Sequence, residues 1–89
     1  MVFVIAVHME NGRGHEHISE VRWQNPADDK TGQNSRAEMV EWIKVKNGVA
    51  KVADGENTVM VGVVEDSPPY LRTYADGKWT DNLLALPRY

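Results

Sequence analysis

Two segments of this chain, VFVIAVHM (Val2 to Met9) and TVMVGVVE (Thr58 to Glu65), are apolar on both faces of an extended strand. In the first, Phe3, Ile5, Val7 and Met9 alternate with Val2, Val4 and Ala6, and polarity enters only at His8. A strand with one wet face alternates apolar with polar residues. One that does not must be covered on both sides or must meet another chain. An 89-residue chain has little to cover them with, because only one stretch reads as a full helix.

That helix opens with the clearest local signal in the sequence, Ser35-Arg36-Ala37-Glu38. The serine hydroxyl accepts the amide of Glu38 while the glutamate carboxylate reaches back to the amide of Ser35, a capping box. The spacing predicts a helix from Arg36 to Lys46, stopped at Asn47-Gly48, where glycine takes the left-handed conformation. Met39, Val40 and Ile43 form its apolar stripe, with Ala37 at the margin; Trp42 and Val45 lie off it and imply a second contact.

Around the helix the reading gives strands at Val2 to Met9, His17 to Trp23, Val49 to Ala53, Thr58 to Glu65 and Tyr70 to Ala75. NGRG turns the first pair. Ile18 is out of phase with Val21 and Trp23, which places either a bulge near Ser19 or Ile18 still in the turn. NPADDKTGQN reads as a loop, Asp54-Gly55 as a turn, and Pro68 and Pro69 as the end of a strand. TDNLLALP reads as a short helical turn, capped by Asp81, packed by Leu83, Leu84 and Leu86, and ended by Pro87. The expected fold is one α+β domain spanning residues 1–89, ordered β-β-α-β-β-β. It has two layers, an antiparallel sheet of about five strands under one helix.

Several chemistries are excluded. Without cysteine there is no disulfide, thiolate metal site or thiol nucleophile, and a staple-free domain this small is expected in the cytoplasm. The opening segment lacks a basic region and a cleavage site, so it is not read as a signal peptide, and it is too short to span a bilayer. The formal net charge of −3 argues against general nucleic-acid binding, which draws on a basic excess. No nucleophile motif, phosphate loop or dinucleotide fingerprint occurs. The expectation is therefore not an enzyme, and no cofactor.

Two clusters remain as candidate sites. In YLRTYADG, Tyr70, Arg72 and Tyr74 alternate with Leu71, Thr73 and Ala75. Two rings and a planar cation suit stacking on a base or gripping an acidic peptide. The same residues also read as scaffold, with Asp76 in the turn, Asp81 as a cap and Arg72 paired to one of them. His8, His15 and His17 gather at one hairpin beside Glu10 and Glu16, a ligand set suited to zinc or nickel.

YLRTYADGKWTDNLLALP, Tyr70 to Pro87, resembles the C-terminal signature of a small bacterial and phage family, domain of unknown function 3892. Tyr70, Leu71, Arg72, Thr73, Ala75, Asp76, Asp81, Asn82, Leu83, Leu86 and Pro87 fit that signature; Tyr74 and Trp79 stand at positions that do not define it. Upstream, the opening strand, HISEVRW and SRAEMVEWI follow the same order of elements. The resemblance implies relatives without an assigned activity. The residues themselves favour a non-enzymatic module acting through contacts with a protein partner, a homodimer first, with Tyr70, Arg72, Tyr74, Asp76, Asp81 and Asn82 as the binding residues. A nucleic-acid contact by Tyr70, Arg72, Tyr74 and Trp23 is the alternative, and a hairpin metal site the third.

Overall fold

In the computed structural model, which describes all residues Met1–Tyr89, the order is β1 (Val2–Met9), a 3-10 turn (His15–His17), β2 (Ile18–Gln24), β3 (Thr31–Ser35), α1 (Arg36–Val45), β4 (Ala50–Asp54), β5 (Asn57–Val64), β6 (Tyr70–Ala75), β7 (Lys78–Thr80) and a second 3-10 turn (Asn82–Ala85). The strands form one sheet in the order β3-β2-β1-β4-β5-β6-β7. The α+β class holds, but the sheet has seven strands rather than about five, and it is mixed rather than antiparallel. The β1–β4 pair is parallel, Val2 beside Ala50 and Phe3 beside Lys51, because α1 carries the chain back across the sheet between β3 and β4.

The two unforeseen strands are both edges. β3 is Thr-Gly-Gln-Asn-Ser, with no apolar alternation to announce it; its backbone pairs with β2 from Glu20↔Ser35 to Gln24↔Thr31. β7 follows a two-residue hairpin at Asp76-Gly77, with φ of 53° and 75°. Two successive positive φ angles match the right-handed twist of the flanking strands, so the Asp-Gly pair turns the chain into another strand instead of closing the sheet.

Two bulges set which side chains face inward. Ile5 has no partner on β2 between Val4↔Trp23 and Ala6↔Arg22, and Ser19 has none between His8↔Glu20 and Met9↔Ile18. An inserted residue reverses the alternation beyond it. Val2, Val4 and Val7 therefore share the core face, and Ile18 joins Val21 there, both fully buried. Of the two readings of Ile18, it is the bulge at Ser19 that is present.

α1 lies on this inner face against β2, β3, β5 and β6, while the second 3-10 turn covers β1, β4 and β6. Between them sit Met39, Val40, Ala50, Val52, Val61, Leu71 and Leu83, all buried. Both halves of the capping box are made: the Glu38 amide donates to Ser35 Oγ at 3.2 Å and the Ser35 amide to Glu38 Oε1 at 2.9 Å. These bonds hold the Glu38 carboxyl below its ordinary range. At the other end it is Asn47, at φ 56°, that takes the left-handed conformation expected of Gly48; asparagine tolerates it. Gly48 instead leaves room for the Trp42 ring, which a Cβ there would meet.

Candidate functional site

Strand β6 divides its residues cleanly. Leu71 and Thr73 are fully buried on the inner face, so Tyr70, Arg72 and Tyr74 point to the outer one. Thr73 is a buried hydroxyl and needs partners. It finds them in a closed ring of hydrogen bonds. The Asn82 amide donates to Thr73 Oγ1 at 3.2 Å. Thr73 and Thr80 hydroxyls are 2.6 Å apart, and Thr80 Oγ1 donates to Asn82 Oδ1 at 2.7 Å. Thr73 Oγ1 also lies 3.1 Å from the Thr80 carbonyl, so its one proton serves that carbonyl or Thr80 Oγ1. The ring staples β6 to β7 and to the start of the second 3-10 turn, whose Leu83 is fully buried.

Arg72 reinforces this staple from the outer side. Its Nε donates to the Thr80 carbonyl at 3.2 Å and its Nη2 to Asp81 Oδ1 at 2.8 Å. Asp81 was expected to cap the helical turn; its side chain makes no cap bond, because it is engaged by Arg72. Asp76 occupies the hairpin turn. Of the six candidate binding residues, Arg72, Asp81 and Asn82 therefore join in one scaffold network, Asp76 shapes a turn, and only Tyr70 and Tyr74 have rings free of it.

The outer face shows what those rings belong to. Register carries one row across five strands: Phe3 beside Lys51, Lys51 beside Met60, Met60 beside Tyr74, Tyr74 beside Trp79. Tyr74 and Trp79 meet edge to face at 5.9 Å, over Gly62, where a Cβ would lie 2.9 Å from the tyrosine ring. No element of the chain covers this row. Ile5, Tyr74 and Trp79 are 39%, 39% and 46% exposed, while Phe3, Met60, Val64 and Tyr70 are half-buried and stand outside the core. Trp79, Lys51 and Met60 were not foreseen here; the signal for Trp79 was the Asp-Gly pair, a hairpin turn that sets it opposite Tyr74.

The β1–β2 end of the same face is occupied by the chain's own C-terminus. Val7 donates to the Pro87 carbonyl at 3.0 Å and Tyr89 to the Val7 carbonyl at 3.1 Å, alongside the part of β1 that β4 does not reach. The Tyr89 phenol donates to Glu20 at 2.9 Å, and the Arg22 guanidinium lies 4.0 Å from its ring centre. Partial burial, with the bond to Glu20 and its negative charge, pushes the phenol up to about 12.

The three histidines do not converge. His8 bonds the Tyr89 carbonyl and His17 Nδ1 lies 3.1 Å from the Glu10 carbonyl. His15 turns inward, 7% exposed, with its Nε2 unpaired and 3.8 Å from Asp81. Burial, and then the Arg72 charge, lower its pKa against the opposing pull of Asp81 and Glu16. No group of three or more histidine, aspartate or glutamate side chains is placed to hold a metal ion. Trp23, grouped with the tyrosines in the nucleic-acid reading, lies on the opposite face. It packs over Gly32 and donates to Asn34 at 2.8 Å.

The model of the family described as Protein of unknown function (DUF3892) matches residues 3–87, and the chain belongs to that family. No curated protein and no solved structure matches it. No helix is long and apolar enough to cross a membrane.

Proposed function

We propose that this DUF3892 member is a non-enzymatic interaction module of the bacterial or phage cytoplasm that docks protein on its outer sheet face, in the first place a second copy of itself. The observation that carries the reading is the uncovered row from Phe3 through Met60 and Tyr74 to Trp79. Scattered surface apolar residues need no explanation, but a contiguous patch marks an interaction site. Aromatic residues and methionine are also what interface centres are enriched in. Lys51 interrupts the row, so a two-fold axis belongs nearer the Tyr74–Trp79 end, which keeps the two Lys51 ammonium groups apart and where Arg72 is paired with Asp81. Two of the three serine hydroxyls are already engaged: Ser35 Oγ serves the cap and Ser19 Oγ donates to the His8 carbonyl, while Ser67 is exposed in the bend before Pro68.

Sedimentation across 1–100 µM tests the proposal. The expected wild-type mass is about twice the 10.0 kDa of one chain, falling to one chain on Trp79→Lys with the circular dichroism unchanged. A wild-type monomer at the highest concentration, with no binding of an apolar dye, overturns it.

A nucleic-acid reading keeps one specific support: Tyr70, Tyr74 and Trp79 share a sheet face whose charged residues across β4–β7, Lys51 and Arg72, are both cationic. It ranks second because Arg72 is paired with Asp81 at 2.8 Å, which leaves Lys51 alone to meet phosphates. Salt-dependent binding of a single-stranded oligonucleotide would raise it, and no binding at low salt would remove it.

A further inference from the structure

The inner side of the sheet carries a second concavity that the outer-face proposal does not use. It is a groove of about 380 Å³ between α1 and the β1–β2–β3 end of the sheet, lined by Val2, Trp23, Met39 and Trp42, with Asn34, Glu38, Glu41 and Lys46 at its polar positions. That volume lies within the range of small-molecule sites, which combine apolar walls with a few placed polar groups.

Its walls are held in place before any ligand arrives. The Trp23 ring covers Gly32 and the Trp42 ring covers Gly48, and in both places a Cβ would collide with the indole. The Trp23 N–H donates to Asn34 Oδ1, another lining residue, at 2.8 Å, so its hydrogen bond is satisfied within the fold. Met39 and Val2 are 3% and 8% exposed and form the closed apolar part. Rigid indoles lose little freedom on binding, which favours affinity.

The charge in the groove is negative. Glu38 and Glu41 bring two carboxylates against the single ammonium of Lys46. Glu38 is held ionised by its bonds to Ser35. Lys46 caps the far end of α1, where a cation is favoured by the helix's own dipole. Indole is the strongest aromatic partner for a cation, and quaternary ammonium groups combine a positive charge with an apolar surface that two indoles and a methionine can cover.

We propose that this groove binds a small, free organic cation of the methylated-ammonium class, with Trp23 and Trp42 as walls and Glu41 as the charge partner. Glu38 adds field without leaving its cap. The site is independent of self-association, since the groove lies on the face opposite Tyr74 and Trp79.

Choline is the probe, titrated into the full chain carrying Trp79→Phe, so that emission comes from Trp23 and Trp42 alone, with sodium chloride matching the ionic strength. The expected result is a saturable change in indole emission, at least fivefold tighter for choline than for its neutral isostere 3,3-dimethylbutan-1-ol. Glu41→Gln should weaken choline binding at least threefold while leaving the neutral isostere unchanged. Glu41 is exposed, so that variant keeps the fold, and circular dichroism checks it. No saturable change up to 50-fold above the protein concentration and on into the tens of millimolar, equal binding of the neutral isostere, or indifference to Glu41→Gln overturns the proposal.

Discussion

Replacing Thr73 with valine keeps the β-branched shape that fits a strand and deletes only the hydroxyl of the ring with Thr80 and Asn82. Thr73 is fully buried, so the change leaves a methyl group facing the Asn82 amide and the Thr80 hydroxyl. The Asn82 amide, which donates to Thr73 Oγ1 at 3.2 Å, becomes an orphan donor. Thr80 Oγ1 loses its 2.6 Å neighbour but still donates to Asn82 Oδ1. One buried orphan costs about 1–3 kcal/mol, and the extra methyl carbon returns under about 1 kcal/mol of transfer free energy. The net expectation is a loss of about 1–2 kcal/mol. In a domain of this size that lowers the melting temperature by roughly 4–16 °C. Urea unfolding followed by tryptophan emission measures it, with an unchanged m-value showing that only stability moved. Adding Thr80→Val to Thr73→Val should cost less than the sum of the two single changes, because members of one ring are not independent. A Thr73→Val protein as stable as wild type, or strictly additive changes, would refute the view that this part of the family signature is a structural staple.

Three further outcomes follow from local geometry. Ser35→Ala removes the hydroxyl that caps α1 and should cost about 1 kcal/mol, read as a lower urea midpoint at an unchanged m-value. His15 is kept neutral by burial, so the unfolded chain takes up a proton first as pH falls; stability should decline as pH drops through the ordinary value of 6.5 toward the lowered folded one. Facing groups Arg72, Asp81 and Glu16 are common to wild type and His15→Gln, so the difference between their stability–pH curves from pH 8 to 5 isolates the histidine. The Tyr89 phenol should ionise near 12 in the fold and near 10 when unfolded. Wild type minus Tyr89→Phe absorbance at 295 nm tracks it, and stability should fall as pH rises above 10.

The family signature shows how sequence and structure divided the work. Tyr70, Arg72 and Tyr74 read as scaffold first and as a binding stripe second, since turn and cap roles explain most of them, while alternation says which residues share a face but not which face is buried. The structure splits them: Arg72 is tied to Thr80 and Asp81, while Tyr74 stands with Trp79 on the open side. The histidines failed as a cluster for a similar reason. Proximity in a hairpin does not fix direction, and the 3-10 turn at His15–His17 rotates His15 into the interior.

What this sequence determined alone is what local chemistry decides. The capping box started α1 at Arg36, the phase slip at Ile18 narrowed the irregularity to a bulge near Ser19 or a longer turn, and two strands apolar on both faces required more cover than one helix provides. Tertiary structure decided the rest. β3 exists because β2 offered unpaired backbone, which is blind to side-chain pattern, and β7 because the Asp76-Gly77 hairpin returned the chain along the open edge of β6. The parallel β1–β4 pair exists because α1 crosses the sheet. The bulge at Ile5 chose which of the two apolar faces of β1 became the core, and left Phe3 in the outer row with Met60, Tyr74 and Trp79, since a sheet packs one face against its own helix and can bury the other only against something else.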